Sequence, residues 1–255
     1  MTFLGNAGNP LHRLPVFQTL LCPNQFRHSR TELPTSKVAV LAAAPRSYWK
    51  SSPRSPTQKG LTSDYLNVLK YAVSRFPQAK IVVYGHSLGG AIAVCLLSQL
   101  SDNEGLAKSD KVEETVDRRF SNIRGLVLEN PLASIPEMTK ALYPEKWIPY
   151  HYMGPLTWDK WDAVAAMHST TRGEASVLGR VKKDMLIMVS EKDEVVPREM
   201  GEGLWHVGKE SGDTKEGSCS LGRHVVIRDA LHENAWERRQ WLKEMSSYIC
   251  DIRRH

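Results

Sequence analysis

Apolar positions along this chain come in short runs, and after residue 60 the runs alternate in kind. Ile81-Val-Val-Tyr84, Ile123–Leu128, Met185–Ser190 and His224–Arg228 are brief and rich in β-branched residues, which suits buried strands. Between them, Thr62–Arg75 carries Tyr65, Leu69, Ala72 and Phe76 at helical spacing and stops at Pro77. Ala91–Leu97 is a small, apolar helical run, and Ala235–Ile249 predicts a final helix. Alternation of this kind predicts an α/β chain with a mostly parallel sheet covered by helices on both faces. Before residue 60 the pattern is thinner. Thr2–Asn9 reads as a strand feeding a Gly/Asn-rich loop, and Val38–Leu41 has the composition of one further strand. Ser101–Phe120 and Glu210–Gly222 are polar interruptions, the second with the glycine and serine of a surface insertion. There is no internal repeat and no linker-like stretch, so the 255 residues are expected to form one domain.

The strand at 81–84 runs directly into Gly85-His-Ser87-Leu-Gly89-Gly90 and then a helix. Strand, G-x-S-x-G and helix in succession predict a nucleophile elbow, with Ser87 held at a sharp turn so that its Oγ stands clear of the backbone. Gly85 and Gly89 are needed because side chains there would meet the neighbouring strand and helix. The helix N-terminus aims N–H groups and positive dipole at the place where an oxyanion forms.

A nucleophilic serine needs a base and an acid, which follow it in chain order in such an arrangement. After the run ending at Ser190 comes Glu191-Lys-Asp193-Glu-Val-Val-Pro197, and Asp193 is the expected acid. Glu191, Glu194 and Asp184 are the alternatives as ordinary solvated carboxylates, and Glu129, one strand earlier, is the other acid candidate. His232, one short loop after the last strand, is the expected base. The backbone N–H of Leu88 is one expected oxyanion donor; Asn6 or Ala7 in the Gly/Asn loop would supply the other. Residues 131–180 read as a lid-like segment and hold Tyr143, Trp147, Tyr150, Tyr152, Trp158 and Trp161. In a lid over the site, Trp158 and Trp161 would line a place for an acyl group, or these rings simply pack the lid onto the body.

Several motifs together resemble the α/β-hydrolase-domain proteins of the BEM type, a branch similar to the membrane-tethered acyl-protein thioesterases. They are Gly5-Asn-Ala-Gly-Asn9, Ser55-Pro-Thr-Gln-Lys-Gly-Leu61, Tyr84-Gly-His-Ser-Leu-Gly-Gly90, Leu128-Glu-Asn-Pro131 with Ser134-Ile-Pro-Glu-Met138, and Lys192-Asp-Glu-Val-Val-Pro197. The resemblance spans residues 1–21 and about 55–250. It implies the α/β-hydrolase fold with a small lid, and hydrolysis of an ester or thioester bond by Ser87, Asp193 and His232. An acyl ester or thioester, on a lipid or a lipidated protein, is the implied substrate, and family members are usually held at a membrane. The chain departs from the pattern at three points. Leu4 stands where the family has histidine, and two strands ordinarily precede the Gly/Asn loop where this chain has four residues. Residues 22–54 are unlike the family: Arg46-Ser-Tyr-Trp49 replaces an Arg-Gly-Tyr-Gly turn, with Ser47 and Trp49 where glycines would permit positive φ. The start therefore reads as truncated and the 22–54 stretch as altered, which makes a non-catalytic, scaffold-like or damaged member of the fold the competing reading.

Charge and cysteines change this picture little. The net charge is +6, but the basic pairs Arg118-Arg119, Lys182-Lys183, Arg238-Arg239 and Arg253-Arg254 are scattered. They read as a solvated surface, with weak attraction to an anionic membrane as the second reading and no nucleic-acid partner. No apolar run reaches the roughly eighteen residues of a membrane span, and the first twenty residues lack a signal-peptide pattern. The expected location is cytoplasmic or peripheral at a membrane. Cys22, Cys95, Cys219 and Cys250 form no C-x-x-C pair, so neither disulfides nor a metal are expected, and Cys95 reads as a core residue. Gly201-x-Gly203 follows no strand, so no phosphate loop and no cofactor are expected.

Overall fold

Side chains alternate along each strand, and that alternation divides the protein into two cores, one on each face of the sheet. The computed structural model describes residues 1–3, 9–21, 38–100, 120–169, 176–210 and 221–254. Among these, strands β1 (Thr2–Phe3), β2 (Ile81–His86), β3 (Ile123–Glu129), β4 (Leu186–Ser190) and β5 (Arg223–Ile227) pair in chain order, all parallel. The helices are α1 (Leu14–Leu21), α2 (Gln58–Arg75), α3 (Leu88–Gln99), α4 (Ile135–Leu142), α5 (Ala163–Ser169), α6 (Val177–Val181), α7 (Arg198–Glu210) and α8 (Arg239–Arg254). Val83, Leu128, Ile187 and Val189 face a core shared with Leu69 of α2, Leu96 of α3, Met167 of α5 and Leu204 of α7. Their strand neighbours Tyr84, Val127, Leu186 and Met188 face the other side, against Val16 of α1 and Trp241, Met245 and Tyr248 of α8. The expected parallel sheet with helices on both faces is thus present.

Helix α2 begins four residues before the expected Thr62, because Thr57 caps it by accepting a hydrogen bond from the Gly60 N–H at 3.2 Å. Tyr65, Leu69 and Ala72 are buried as expected, but Phe76 is 42% exposed. It occupies the C-cap with non-helical backbone, so it leaves the buried face. The strand expected at Val38–Leu41 is reduced to a single bridge between Ala42 and Thr2. The residues that follow, Ala42-Ala-Ala-Pro45, give little cross-strand packing, and proline has no N–H for a ladder. Lys182, read from sequence as solvated, is buried, with its ammonium donating to the Met167 carbonyl at 3.2 Å; burial lowers its pKa. Cys95 is buried as expected, and burial, aided by Asp162, pushes its thiol up to about 12.

Ser47 and Trp49 adopt φ of 66° and 49°, the left-handed conformation that the missing glycines would have favoured. The turn is held by Arg46, whose Nε and Nη2 donate to the two carboxylate oxygens of Asp64 at 2.9 and 2.7 Å. A left-handed L-residue costs about 1–2 kcal/mol, while glycine gives back roughly 0.5–1 kcal/mol through the unfolded chain. Ser47→Gly also gives up the hydrogen bond from the Ser47 hydroxyl to the Arg54 carbonyl, about 1 kcal/mol, so the two effects should nearly cancel and leave stability within about 1 kcal/mol of wild type. Urea unfolding checks this: a loss well beyond about 1 kcal/mol would mean that the turn stores no strain to release.

Candidate active site

Ser87 stands between the end of β2 and the start of α3 with φ 54° and ψ −125°. A non-glycine residue in this region costs about 1–3 kcal/mol and persists only where the surroundings over-determine it. Here they do: the Ser87 N–H donates to the Glu129 carbonyl at 2.9 Å, and its carbonyl accepts from Gly90 at 2.9 Å and Leu132 at 3.3 Å. Gly85 is the reason α3 can come so close. A Cβ built on it would lie 2.6 Å from the Gly89 carbonyl oxygen and 2.6 Å from Gly90 Cα. The Ser87 hydroxyl is partly exposed and makes no capping bond to α3, and Leu88 follows as the first residue of that helix. The first N–H groups of a helix have no carbonyl partner within it, which suits Leu88 to receive an oxyanion.

The loops after β4 and β5 bring a carboxylate and an imidazole together. His232 Nδ1 lies 2.8 Å from Asp193 Oδ2 and 3.0 Å from Oδ1, and the side chains are only 5% and 3% exposed. Asp193 Oδ1 also accepts the N–H groups of Val195 and Val196, both at 2.8 Å, so the carboxylate is fixed before it meets the ring. The alternative acids have other partners. Glu194 accepts the His232 backbone N–H at 3.0 Å, Glu191 accepts that of Asp229 at 2.9 Å, and Asp184 that of Leu221 at 3.0 Å. Glu129 Oε2 accepts from the Tyr84 hydroxyl at 2.7 Å and the Trp241 indole at 2.6 Å, on the α8 side of the sheet and away from His232. Burial raises the Glu129 carboxyl and, with Glu129 beside it, the Tyr84 phenol. Ser87 makes no hydrogen bond to His232 in this arrangement.

The backbone of His232 is held as firmly as its ring. Its carbonyl accepts from Asn130 Nδ2 at 2.9 Å and from His86 Nε2 at 3.0 Å. Asn130, at φ 44°, also bonds Ser190 through both its amide atoms. His86, immediately before Ser87, is 1% exposed, with its Nδ1 2.8 Å from Nη2 of the buried Arg13. Burial, then Arg13 and then His232 push the His86 pKa well below its ordinary value. His86, His232 and Glu233 bring metal-ligand atoms within 4.8 Å of one another, but the Arg13 guanidinium already contacts two of the three. A cation is in place there.

Residues 24–113 match the family model described as Lipase (class 3). The chain is 28% identical over 163 residues to the lysophosphatidylserine lipase ABHD12 of Danio rerio, covering 64% of this chain and 38% of that protein. It is 28% identical over 198 residues to protein bem46 of Schizosaccharomyces pombe, covering 76% of this chain and 51% of the relative. The chain thus spans about half, or less, of the relatives it matches. Among solved structures, Est1E of Butyrivibrio proteoclasticus with ferulic acid bound superposes over the whole chain and 88% of its own, with TM-score 0.60 and 19% identity. The chain has the α/β-hydrolase fold, and its sequence is similar to proteins of the BEM/ABHD type.

Within this fold the described residues bring Asp193 to His232 and set Ser87 in the turn between β2 and α3. Asn6 and Ala7, the expected second oxyanion donors, lie outside the described residues, as do residues 22–37, 101–119 and 211–220. The aromatic segment divides. Trp161, 3% exposed and at φ 45°, is part of the core and packs the segment onto the body. Trp158 is 99% exposed, its ring in solvent rather than against the site, and Tyr143, Trp147, Tyr150 and Tyr152 are also exposed. The hollow beside Asp193, bounded by Pro131, Val196, Pro197 and Gly201, is shallow and open to solvent and encloses no room for a ligand. Arg13, His86 and Asn130 are the site residues that sequence reasoning missed. The one local signal was Asn130-Pro131, a turn dipeptide directly after a strand.

Proposed function

We propose that this α/β hydrolase cleaves carboxylic esters, thioesters included, by acyl transfer through Ser87, and that the whole chain serves as one domain around that site. The buried His232–Asp193 pair on the loops after β4 and β5, beside the strained Ser87, is the observation that carries the reading. His232 takes the Ser87 proton as the oxygen attacks the carbonyl, and Asp193 holds the imidazole tautomer and stabilises its cation. This requires the hydroxyl to turn onto His232, and such bonds commonly tighten only when substrate binds. The N–H of Leu88, with Asn6 as its partner, receives the oxyanion; one such donor contributes about 10²–10³-fold. Water then releases the acyl group through the same histidine. The relatives named as lysophosphatidylserine lipases favour a lipid ester, with the protein working at a membrane surface as a peripheral partner. Among the described residues, no helix is long and apolar enough to cross a membrane.

Labelling with a fluorophosphonate probe tests the proposal. Wild type is expected to be labelled and Ser87→Ala not, with circular dichroism showing both folded. A folded but unlabelled wild type would leave the scaffold reading in its place.

A further inference from the structure

Arg13, in the turn before α1, is 8% exposed and lies far in sequence from Ser87, Asp193 and His232, yet it touches the neighbours of two of them. One terminal nitrogen, Nη2, lies 2.8 Å from Nδ1 of His86, the residue before Ser87. The same nitrogen donates at 2.7 Å to Oε2 of Glu233, the residue after His232. We propose that Arg13 is a positioning residue that sets the separation of Ser87 and His232; this rests on the acyl-transfer reading above.

The argument follows from donor and acceptor chemistry. A guanidinium only donates, so His86 Nδ1 must be an acceptor and the ring proton must sit on Nε2. From Nε2 it donates to the His232 carbonyl at 3.0 Å. Arg13 therefore fixes the one His86 tautomer that can hold the strand carrying Ser87 to the loop carrying His232. Its ion pair with Glu233 ties down the next residue of that loop. Asn130 grips the same carbonyl from the end of β3, beside Glu129, whose carbonyl holds the Ser87 N–H; His86 adds the link made from β2 itself. Without Arg13, His86 Nδ1 loses its donor, Glu233 loses its partner, and only the His232 carbonyl is left to select the Nε2–H tautomer. The direct link between the strand carrying Ser87 and the loop carrying His232 would then slacken.

Arg13→Ala is expected to lower kcat for p-nitrophenyl butyrate by about 100-fold, the usual loss for a displacement near 1 Å, with KM little changed. Millimolar ethylguanidinium should restore part of that rate, and ethylammonium should not. A near wild-type kcat, or a loss that ethylguanidinium leaves unrepaired, overturns the proposal. Should Arg13→Ala fail to fold, Arg13→Met keeps the apolar stem but has no donor for His86 Nδ1 or Glu233. For that variant a reduced kcat at unchanged KM supports the proposal and a wild-type kcat overturns it. The imidazole ¹⁵N spectrum of wild type separates the two readings. His86 must show the Nε2–H tautomer whether or not the protein hydrolyses the ester, and an Nδ1–H tautomer overturns the Arg13 link itself. A protein with the expected tautomer that neither turns over ester nor takes the fluorophosphonate probe would refute the acyl-transfer reading, and with it the positioning role.

Discussion

Asp193→Asn is expected to leave the fold intact and to lower kcat by about 10⁴, the effect of trapping the wrong histidine tautomer. The local hydrogen bonds dictate which way the new amide faces. Val195 and Val196 both donate to Asp193 Oδ1, so the asparagine must keep its oxygen there. Its NH₂ group then takes the place of Oδ2, 2.8 Å from His232 Nδ1. A donor facing Nδ1 forces that nitrogen to be an acceptor, which moves the proton to Nε2. Nε2 is the atom that must accept the Ser87 proton, so the ring is disarmed without leaving its position. Steady-state hydrolysis of a short-chain ester, with thermal unfolding beside it, measures both halves. A variant within tenfold of wild type would remove Asp193 from the mechanism, a 1.4 kcal/mol effect being too small for a trapped tautomer.

Gly85→Ala should crowd more backbone atoms than alanine at any other described glycine. Its Cβ would stand 2.6 Å from two backbone atoms and 2.8 Å from the Gly90 nitrogen, none of which can swing aside as a side-chain tip could. Helix α3 would have to back away from β2, and with it the elbow. Overpacking of this kind costs about 3 kcal/mol, or roughly 10 °C of Tm in a chain of this size. Gly203, within α7, is the control, since nothing lies within 4 Å of a Cβ built there. Gly203→Ala should stabilise by as much as about 1 kcal/mol. If the two substitutions shifted Tm alike, close approach at the elbow would not be what Gly85 provides.

The parts of the site that could be read from sequence are those with local causes. A β-branched run meeting G-x-S-x-G marks the elbow within ten residues, and Asp193 and His232 each follow a strand by a few residues. The runner-up Glu129 could not be dismissed from sequence, because its engagement by Tyr84 and Trp241 depends on α8 lying across the sheet. Arg13, His86 and Asn130 were illegible for the same reason. Their partners are 60 to 220 residues away, and no periodicity encodes a contact at that range. Trp158 and Trp161 look alike in a segment without helical or strand spacing, yet one is in water and the other in the core. Lys182 shows the limit of charge as a signal: its ammonium satisfies a carbonyl at the end of α5.

The strictly parallel sheet also has a kinetic consequence. No two neighbouring strands can be joined by a tight hairpin, so every ladder closes over a long crossover, beginning with Thr2 against Tyr84. Contacts of such high order come late and slowly, and collapsed intermediates with bare strand edges are prone to associate meanwhile. His232 follows β5, the last of the described strands in chain order, and the second core needs α8. During synthesis, therefore, Ser87 leaves the ribosome well before Asp193 and His232, and on the proposed mechanism a nascent chain is chemically silent until His232 has emerged.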